Sequence, residues 1–263
     1  MKDLKALLFD TFGTVVDWRG SVTRMGQRLA TAKGIEGIDW EAFARAWRAG
    51  YRPGMAPVIA GTRPWTPLDV IHREILEEIL VTFGIAERFS DDEKADFNLM
   101  WHRLDPWPDS VPGLLRLKRT HIIGPLSNGG TELLVNMAKR AGLPWDLILS
   151  SDITRAYKRD PRAYQAAIAA LGMAPGEVML CAAHNDDLAA AREQGMRTAY
   201  INRPTEYGAD QTRDFEATGD WDIVTDHIGG IADALGVRGA APADFAPHSL
   251  WASQGTVAAD AAA

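Results

Sequence analysis

Short apolar runs alternate with segments of helical periodicity along most of the chain. A short apolar run bounded by turn residues is typical of a strand buried on both faces of a parallel sheet. Strands are expected at residues 4–9, 122–127, 147–150, 178–182, 198–201 and 222–224. Helices that end at a capping glycine are expected at residues 131–142, 161–172 and 188–195. This alternation predicts an α/β fold, a doubly wound parallel sheet with a Rossmann-like core.

The pattern changes between residues 18 and 107, where helical periodicity dominates and strand patterns are absent. Helices are expected there at residues 22–32, 40–50, 68–83 and 91–104, separated by loops rich in proline and glycine at 52–54 and 62–67. We therefore expect residues 18–107 to form an all-helical cap inserted into a core of residues 1–17 and 108–236. The Ala-rich tail, residues 237–263, is expected to be poorly ordered.

Composition and charge exclude several classes of protein. The apolar fraction of 46% and the charged fraction of 24% are ordinary for a soluble globular protein. A net charge of −7 without a basic run argues against a nucleic-acid surface. The single cysteine, Cys181, excludes an internal disulfide framework and a cysteine-based zinc cluster. Neither a signal-peptide pattern nor an apolar run of about 20 residues is present, so a cytoplasmic protein without membrane association is expected.

The first apolar run ends in Asp10 and is followed by a turn at Gly13. In open α/β sheets, ligands bind at the carboxyl ends of the strands. A carboxylate at that position is a candidate nucleophile that could form a covalent ester. Phe12, two residues later, has no proton to donate to a leaving group.

Two other segments place polar groups beside expected strand ends. Ser127 and Asn128 could hold a carboxylate or a halide with neutral donors, although both residue types are also favoured in turns and helix caps. Lys158 precedes an Asp-Pro pair that is typical of a helix start. A lysine in that loop could hold a nucleophilic aspartate ionised, and the alternative is a solvated loop lysine.

A further cation is expected on a cap helix. Arg48 and Tyr51 are three residues apart and therefore neighbours on the helix surface. An arginine there could bind an anionic group, such as the carboxylate of a small acid, whereas the alternative is an exposed arginine with a solvated head. The local pattern does not separate Arg48 from the flanking Arg45 and Arg52.

Taken together, these residues resemble the (S)-2-haloacid dehalogenases of the haloacid dehalogenase superfamily. The segments that carry the resemblance are FDTFGT at 9–14, LSNG at 126–129, YKRDPRAY at 157–164 and AHNDD at 183–187. The resemblance covers nearly the whole chain to about residue 235, and the order and spacing of these segments make it specific. It implies metal-independent hydrolysis of short 2-haloacids to 2-hydroxyacids, with no metal and no organic cofactor. Family members are often dimers, so a homodimer is also expected.

Most members of the superfamily are phosphatases, and two of their acids are missing here. Their second aspartate, which protonates the leaving alkoxide, is replaced by Phe12, and an acid that ligates Mg²⁺ is replaced by Ala183. A halide leaving group needs no proton. The two replacements favour carbon–halogen bonds over phosphate esters.

The resemblance implies catalytic roles for five residues. Asp10 matches the nucleophile, Thr14 a hydroxyl near it, and Lys158 the lysine that supports it. Asp187 matches the acid that positions or activates water. The implied reaction is attack of Asp10 on C2 with inversion, followed by hydrolysis of the resulting ester. His184 occupies the position of a family asparagine, so that the handling of water is expected to differ.

The resemblance also implies a set of substrate-binding residues. They are Thr11, Phe12, Arg48, Ser127, Asn128 and Tyr164. Arg48 and Asn128 match the halide-binding pair, and Ser127 matches a donor to the substrate carboxylate. Tyr164 keeps the family's spacing from the lysine, and Phe12 stands where relatives often have tyrosine.

The role of His184 leaves several interpretations open. It could be a general base, a donor to the departing halide, or a structural histidine. If it joins Arg48 and Asn128, a more strongly donating halide pocket could accept fluoroacetate, because fluoride needs dense hydrogen bonding. The alternatives to a dehalogenase are a phosphatase or phosphonatase of the same fold, hydrolysis of another activated carbon, and a non-catalytic member of the fold.

Overall fold

A computed structural model describes residues 3–239 of the chain. Its strands are β1 Ala6–Phe9, β2 Val16–Asp17, β3 Asp105–Pro106, β4 Ile122–Pro125, β5 Val178–Ala182, β6 Arg197–Ile201 and β7 Ile223–Thr225. Its α-helices are α1 Trp18–Lys33, α2 Trp40–Ile59, α3 Leu68–Thr82, α4 Asp91–Asn98, α5 Ser110–Leu117, α6 Thr131–Ala141, α7 Ser151–Thr154, α8 Pro161–Leu171, α9 Asn185–Glu193 and α10 Ile228–Ala234. Short 3₁₀ turns occur at Ala86–Arg88, Leu99–Arg103 and Pro175–Glu177.

The main sheet has five parallel strands in the order β4-β1-β5-β6-β7. Alternate residues of β1 enter different apolar clusters, Leu7 and Phe9 on one face and Ala6 and Leu8 on the other. Both faces are therefore covered, which is why the strand sequences are almost continuously apolar. The predicted doubly wound parallel α/β fold is confirmed.

The strand order places three chain segments at one edge of the sheet. Phe9 at the end of β1 is in register with Pro125 of β4 and Cys181 of β5. The residues that follow these strands, including Asp10, consequently emerge side by side. This is the edge at which ligands bind in open α/β sheets.

The strand expected at residues 147–150 is wrong. That segment makes one isolated bridge, between Leu149 and Leu126. Ser150 already caps α7, because its side chain accepts a hydrogen bond from the Ile153 N–H. The extended stretch is therefore too short to form a ladder. The two-stranded antiparallel pair of β2 and β3 was not predicted from the apolar pattern.

The loop expected at residues 52–54 is also wrong, because α2 runs through it with Pro53 and Pro57 inside the helix. The apolar side chains Trp47, Tyr51 and Met55 lie one turn apart and are all buried. Packing of this face outweighs the loss of backbone donors at the prolines. At Gly54 the helix approaches α3 closely, since a Cβ there would lie 2.5 Å from Ile71 Cγ2. The helix expected at 91–104 ends at residue 98 and continues as a 3₁₀ turn.

The helical segment lies between β2 and β3, which pair with each other close to the predicted cap boundaries at 18 and 107. The division into core and cap stays a prediction. Val237, the first residue of the expected tail, is buried and its carbonyl accepts from Arg116 Nη2. Residues 240–263 of that tail lie outside the described residues. Within residues 3–239, no helix is both long enough and apolar enough to cross a membrane.

Candidate active site

Asp10 follows β1 directly, and the residue is 7% exposed. Lys158 Nζ donates to Oδ1 at 2.8 Å, and the Thr14 hydroxyl donates to Oδ2 at 2.8 Å. His184 Nδ1 lies 3.1 Å from the same Oδ2. The turn through Gly13, with φ of +89°, returns the chain so that Thr14 reaches the carboxylate. Three donors therefore hold one carboxylate at the edge of the sheet.

These donors decide the charge of Asp10. Burial alone would raise the pKa of its carboxyl group, but the Lys158 ammonium and the His184 ring hold that pKa well below its ordinary value. The carboxylate is consequently ionised at neutral pH. An ionised, largely desolvated carboxylate is suited to act as a nucleophile.

Lys158 is buried between two carboxylates. Its Nζ also donates to Asp187 Oδ2 at 2.6 Å, and the Tyr164 hydroxyl donates to Asp187 Oδ1 at 2.6 Å. Burial would lower the pKa of Lys158, but Asp10 and Asp187 together raise it above its ordinary value. The structure thus brings Asp10, Thr14, Lys158, Tyr164 and Asp187 together. Because both Asp187 oxygens are engaged, this acid can act on the site only through its neighbours.

Asn128 and Ser127, which follow β4, differ in the groups that they can offer to a ligand. Asn128 Oδ1 accepts the backbone N–H of Lys158 at 2.7 Å, so its amide nitrogen is the group that it can offer to a ligand. Ser127 Oγ instead accepts from the Gly129 N–H at 3.2 Å, as in an ordinary turn. Thr11 Oγ1 is buried and has no hydrogen-bond partner among residues 3–239. Ser127 and Thr11 do not line the cavity beside Asp10.

That cavity has a volume of about 520 Å³ and lies between the sheet edge and α2. The sheet side is lined by residues that include Asp10, Phe12, Asn128, Lys158 and His184. The α2 side is lined by Arg48, Tyr51, Arg52, Met55 and Ile59. Near its rim, Arg52 on α2 forms an ion pair with Asp186 on α9 at 2.8 Å. The cavity is large enough for a small organic acid.

Arg48 brings a positive charge to the cavity from α2. Its guanidinium carbon lies 4.2 Å from the centre of the Tyr51 ring, and it also faces Trp18 at 5.6 Å and Phe12 at 5.9 Å. Its Nη1 is buried without a hydrogen-bond partner among the described residues. A buried cationic donor without a partner is costly unless a ligand accepts from it. Arg48 is therefore the group best placed to bind an anion.

His184 lies between two carboxylates, which sequence reasoning did not anticipate. Its Nδ1 faces Asp10, and its Nε2 lies 3.0 Å from Glu206 Oε2. Burial would lower the pKa of His184, but Glu206 and Asp10 raise it well above its ordinary value. The ring is therefore an imidazolium that donates from both nitrogens. With both nitrogens engaged, this geometry favours neither a general base nor a donor to halide.

Glu206 was missed because no motif marks it. It lies five residues after the end of β6, at the same edge of the sheet as Asp10. A carboxylate in a loop after a strand was the signal used for Asp10, and the same signal, applied to the later strand, would have found Glu206.

The donor set around Asp10 does not fit a Mg²⁺ site of the phosphatase type. Lys158 and His184 already bring positive charge to Asp10, and Ala183 has no side-chain oxygen to offer. Among residues 3–239, no cluster of three or more histidine, cysteine, aspartate or glutamate side chains is arranged to hold a metal ion.

Comparison with known proteins finds haloacid dehalogenases and, at 28% identity or less, phosphatases. A family model described as haloacid dehalogenase-like hydrolase matches residues 4–195. The (S)-2-haloacid dehalogenase 4A of Burkholderia cepacia is 32% identical over 213 residues, which cover 78% of this chain and 87% of the relative. Haloacetate dehalogenase H-2 of Moraxella sp. (strain B) is 32% identical over 217 residues, covering 77% and 88%. The crystal structure of a defluorinating L-2-haloacid dehalogenase matches with a TM-score of 0.86 and 49% identity, covering 88% and 95% of the two chains.

Proposed function

The chain belongs to the haloacid dehalogenase-like hydrolases and, within them, to the (S)-2-haloacid dehalogenases, and on that premise we propose that it hydrolyses short 2-haloacids through an ester on Asp10. It is a hydrolase that acts on carbon–halide bonds. The observation that carries the proposed mechanism is the ionised Asp10 carboxylate at a cavity whose opposite side presents an unpartnered Arg48 guanidinium.

In the first step, an Asp10 oxygen attacks C2 of the haloacid from the side opposite the halogen. A C–O bond forms as the carbon–halogen bond breaks, and the electron pair leaves with the halide. Arg48 and the Asn128 amide nitrogen are the donors available to the developing halide or to the substrate carboxylate. A single displacement inverts the configuration at C2.

In the second step, water adds to Cγ of the Asp10 ester and releases a 2-hydroxyacid. The Lys158–Asp187 pair lies beside the ester, within one hydrogen bond of Oδ1. Cleavage between Cγ and the ester oxygen regenerates the Asp10 carboxylate. No step requires a metal ion or an organic cofactor, and the homodimer and the cytoplasmic location stay predictions.

We include fluoroacetate among the substrates. Fluoride is strongly hydrated and a poor leaving group, so its departure requires strong hydrogen-bond donors in a desolvated site. The Arg48 guanidinium, whose buried Nη1 has no hydrogen-bond partner among the described residues, meets that requirement. The 49% identity to a protein described as a defluorinating L-2-haloacid dehalogenase supports the same inclusion.

Halide release from chloroacetate, (S)-2-chloropropionate and fluoroacetate, measured in EDTA, tests the proposed function. We expect release from all three substrates, with (R)-lactate as the product of chloropropionate because the displacement inverts C2. Retention of configuration would contradict the single displacement. If none of the three substrates released halide and the protein hydrolysed an aryl phosphate in the presence of Mg²⁺, the protein would be a phosphatase of the same fold.

Replacing Arg48 with lysine is expected to lower kcat/KM for chloroacetate by roughly 10- to 100-fold. Lysine keeps the charge but loses the planar pair of donors and the stacking on Tyr51. Steady-state halide release measures the effect. Arg45→Lys on the same helix is the matched control, because Arg45 is exposed. Equal kcat/KM values for the two variants would show that Arg48 does not bind the substrate.

A further inference from the structure

Glu206 is a buried carboxylate near the nucleophile, and no step of the proposed reaction involves it. It is 1% exposed, and its Oε1 accepts the indole N–H of Trp18 at 2.9 Å. It also packs against the turn that follows Asp10, because a Cβ on Gly13 would lie 2.1 Å from Oε1. A buried carboxylate is costly unless it is paired and hydrogen-bonded. Its cationic partner is His184.

The imidazole of His184 bridges Glu206 and the reacting carboxylate of Asp10. His184 Nε2 lies 3.0 Å from Glu206, and Nδ1 lies 3.1 Å from Asp10 Oδ2. The charged groups that face His184 are these two carboxylates, which in turn interact with Lys158 at Asp10 and with Arg48 near Glu206. Two anions therefore support one imidazolium in the resting enzyme.

Formation of the Asp10 ester removes one of these two anions. The ester oxygen facing His184 Nδ1 then carries no net charge, and Glu206 is the anion that remains in contact with the ring. Without Glu206, no anion would contact the buried ring at this stage, and burial would favour its neutral form. The Nδ1–H would then no longer be assured as a donor to the ester.

We propose that Glu206 is a positioning residue for ester hydrolysis, which keeps His184 protonated so that Nδ1–H and the Thr14 hydroxyl together bind the oxyanion formed at Asp10 Oδ2. This inference rests on the proposed aspartyl ester. It assigns Oδ1, beside Lys158, as the oxygen bonded to C2, and Oδ2 as the carbonyl oxygen. Two fixed donors to a developing oxyanion are a strong source of rate acceleration.

The step balances with the groups present. The water oxygen bonds to Cγ, and the carbonyl electron pair moves onto Oδ2, where Thr14 and His184 donate. As the pair returns, the Cγ–Oδ1 bond breaks and Oδ1 leaves with C2, taking a proton from Lys158 Nζ. One water proton restores the Lys158–Asp187 pair, and the other is lost when the new Asp10 carboxyl ionises.

Glu206→Gln tests this role, because glutamine keeps the volume and an acceptor for Trp18 but removes the charge. We expect rapid release of one halide per active site from chloroacetate, followed by turnover slowed about 10²-fold. The esterified protein should accumulate, visible in intact-mass spectra as one added carboxymethyl group. Exposed Glu193 provides the matched control, Glu193→Gln. Loss of the initial burst without ester accumulation would overturn the inference.

The pH profile separates this role from simple packing. Since protonated His184 is the active form, wild-type turnover should fall only as pH rises through its raised pKa. In Glu206→Gln that pKa is lower, so the fall should move to lower pH. In addition, Glu206→Gln added to His184→Asn should cause little further loss, because both changes remove the same donor. An unshifted profile or fully additive losses would contradict the coupling.

A measurement on the unmodified enzyme tests the protonation of His184 even if the Glu206→Gln variant does not fold. Nitrogen-15 NMR of the histidine side chains at about pH 8.5, where an ordinary histidine is neutral, should show His184 protonated on both nitrogens. A neutral His184 would overturn the inference. If the wild type forms no ester with any haloacid, the proposed function itself fails; if it does and Glu206→Gln behaves identically, only the role of Glu206 fails.

Discussion

Replacing Asp10 with asparagine is expected to lower kcat for halide release from chloroacetate by about 10⁴-fold or more, the scale seen when a catalytic nucleophile is removed. Asparagine keeps the shape of the side chain and an oxygen that can accept from Lys158. It lacks the negative charge that Lys158 and His184 hold on the carboxylate. The variant should therefore fold and bind substrate, yet form no ester.

Asp92→Asn is the matched control, because Asp92 is exposed on α4 and far along the chain from the site. Asp10→Ala guards against slow conversion of the new asparagine back to aspartate. Thermal unfolding checks that both Asp10 variants are folded. Turnover by folded Asp10→Ala at more than a hundredth of the wild-type rate would mean that another group attacks the substrate.

Replacing Lys158 with methionine is expected to cause the second-largest loss, roughly 10²- to 10⁴-fold in kcat. Lys158 binds Asp10 at 2.8 Å and Asp187 at 2.6 Å, and the three groups are buried. Removing the ammonium leaves two buried carboxylates without their shared cation, so one of them favours the protonated form. Breaking such a pair also lowers the free energy of unfolding, by about 3–5 kcal/mol.

The direction of the pH effect identifies the cause of this loss. In the wild type, the pKa of Asp10 lies well below its ordinary value, so the nucleophile stays ionised down to acidic pH. Without Lys158 that pKa rises, and residual activity should recover as pH increases through the new value. Lys139→Met, at an exposed position on α6, should leave the profile unchanged. A pH-independent loss in Lys158→Met would show that the lysine does not act through the charge of Asp10.

The parallel sheet was predictable because its strands are buried on both faces and therefore almost continuously apolar. Asp10 was predictable as a candidate because a carboxylate at the end of such a strand lies at the ligand-binding edge. Two of the errors in secondary structure have a common origin. Residues 52–54 and 147–150 carry strong local signals, but packing of α2 against α3 and the early start of α7 override them.

The electrostatic environment of the site was harder to predict than its residues. The positions of Lys158, Tyr164 and Asp187 along the chain give no hint that one ammonium binds two carboxylates. The pairing of His184 with Glu206 depends on how the loop after β6 folds back over the Gly13 turn. That contact joins two loops from different strands, and neither loop has a periodic pattern from which the approach could be inferred.

The origin of the hydroxyl oxygen in the product tests the ester on Asp10 most directly. A single turnover of chloroacetate should be run in oxygen-18 water with enzyme in excess over substrate. If the reaction passes through an ester on Asp10, glycolate contains unlabelled oxygen taken from Asp10, and the Asp10 carboxylate of the recovered protein contains one oxygen-18 atom. Labelled glycolate with an unlabelled Asp10 would show that water attacks C2 directly, and would contradict the aspartyl ester.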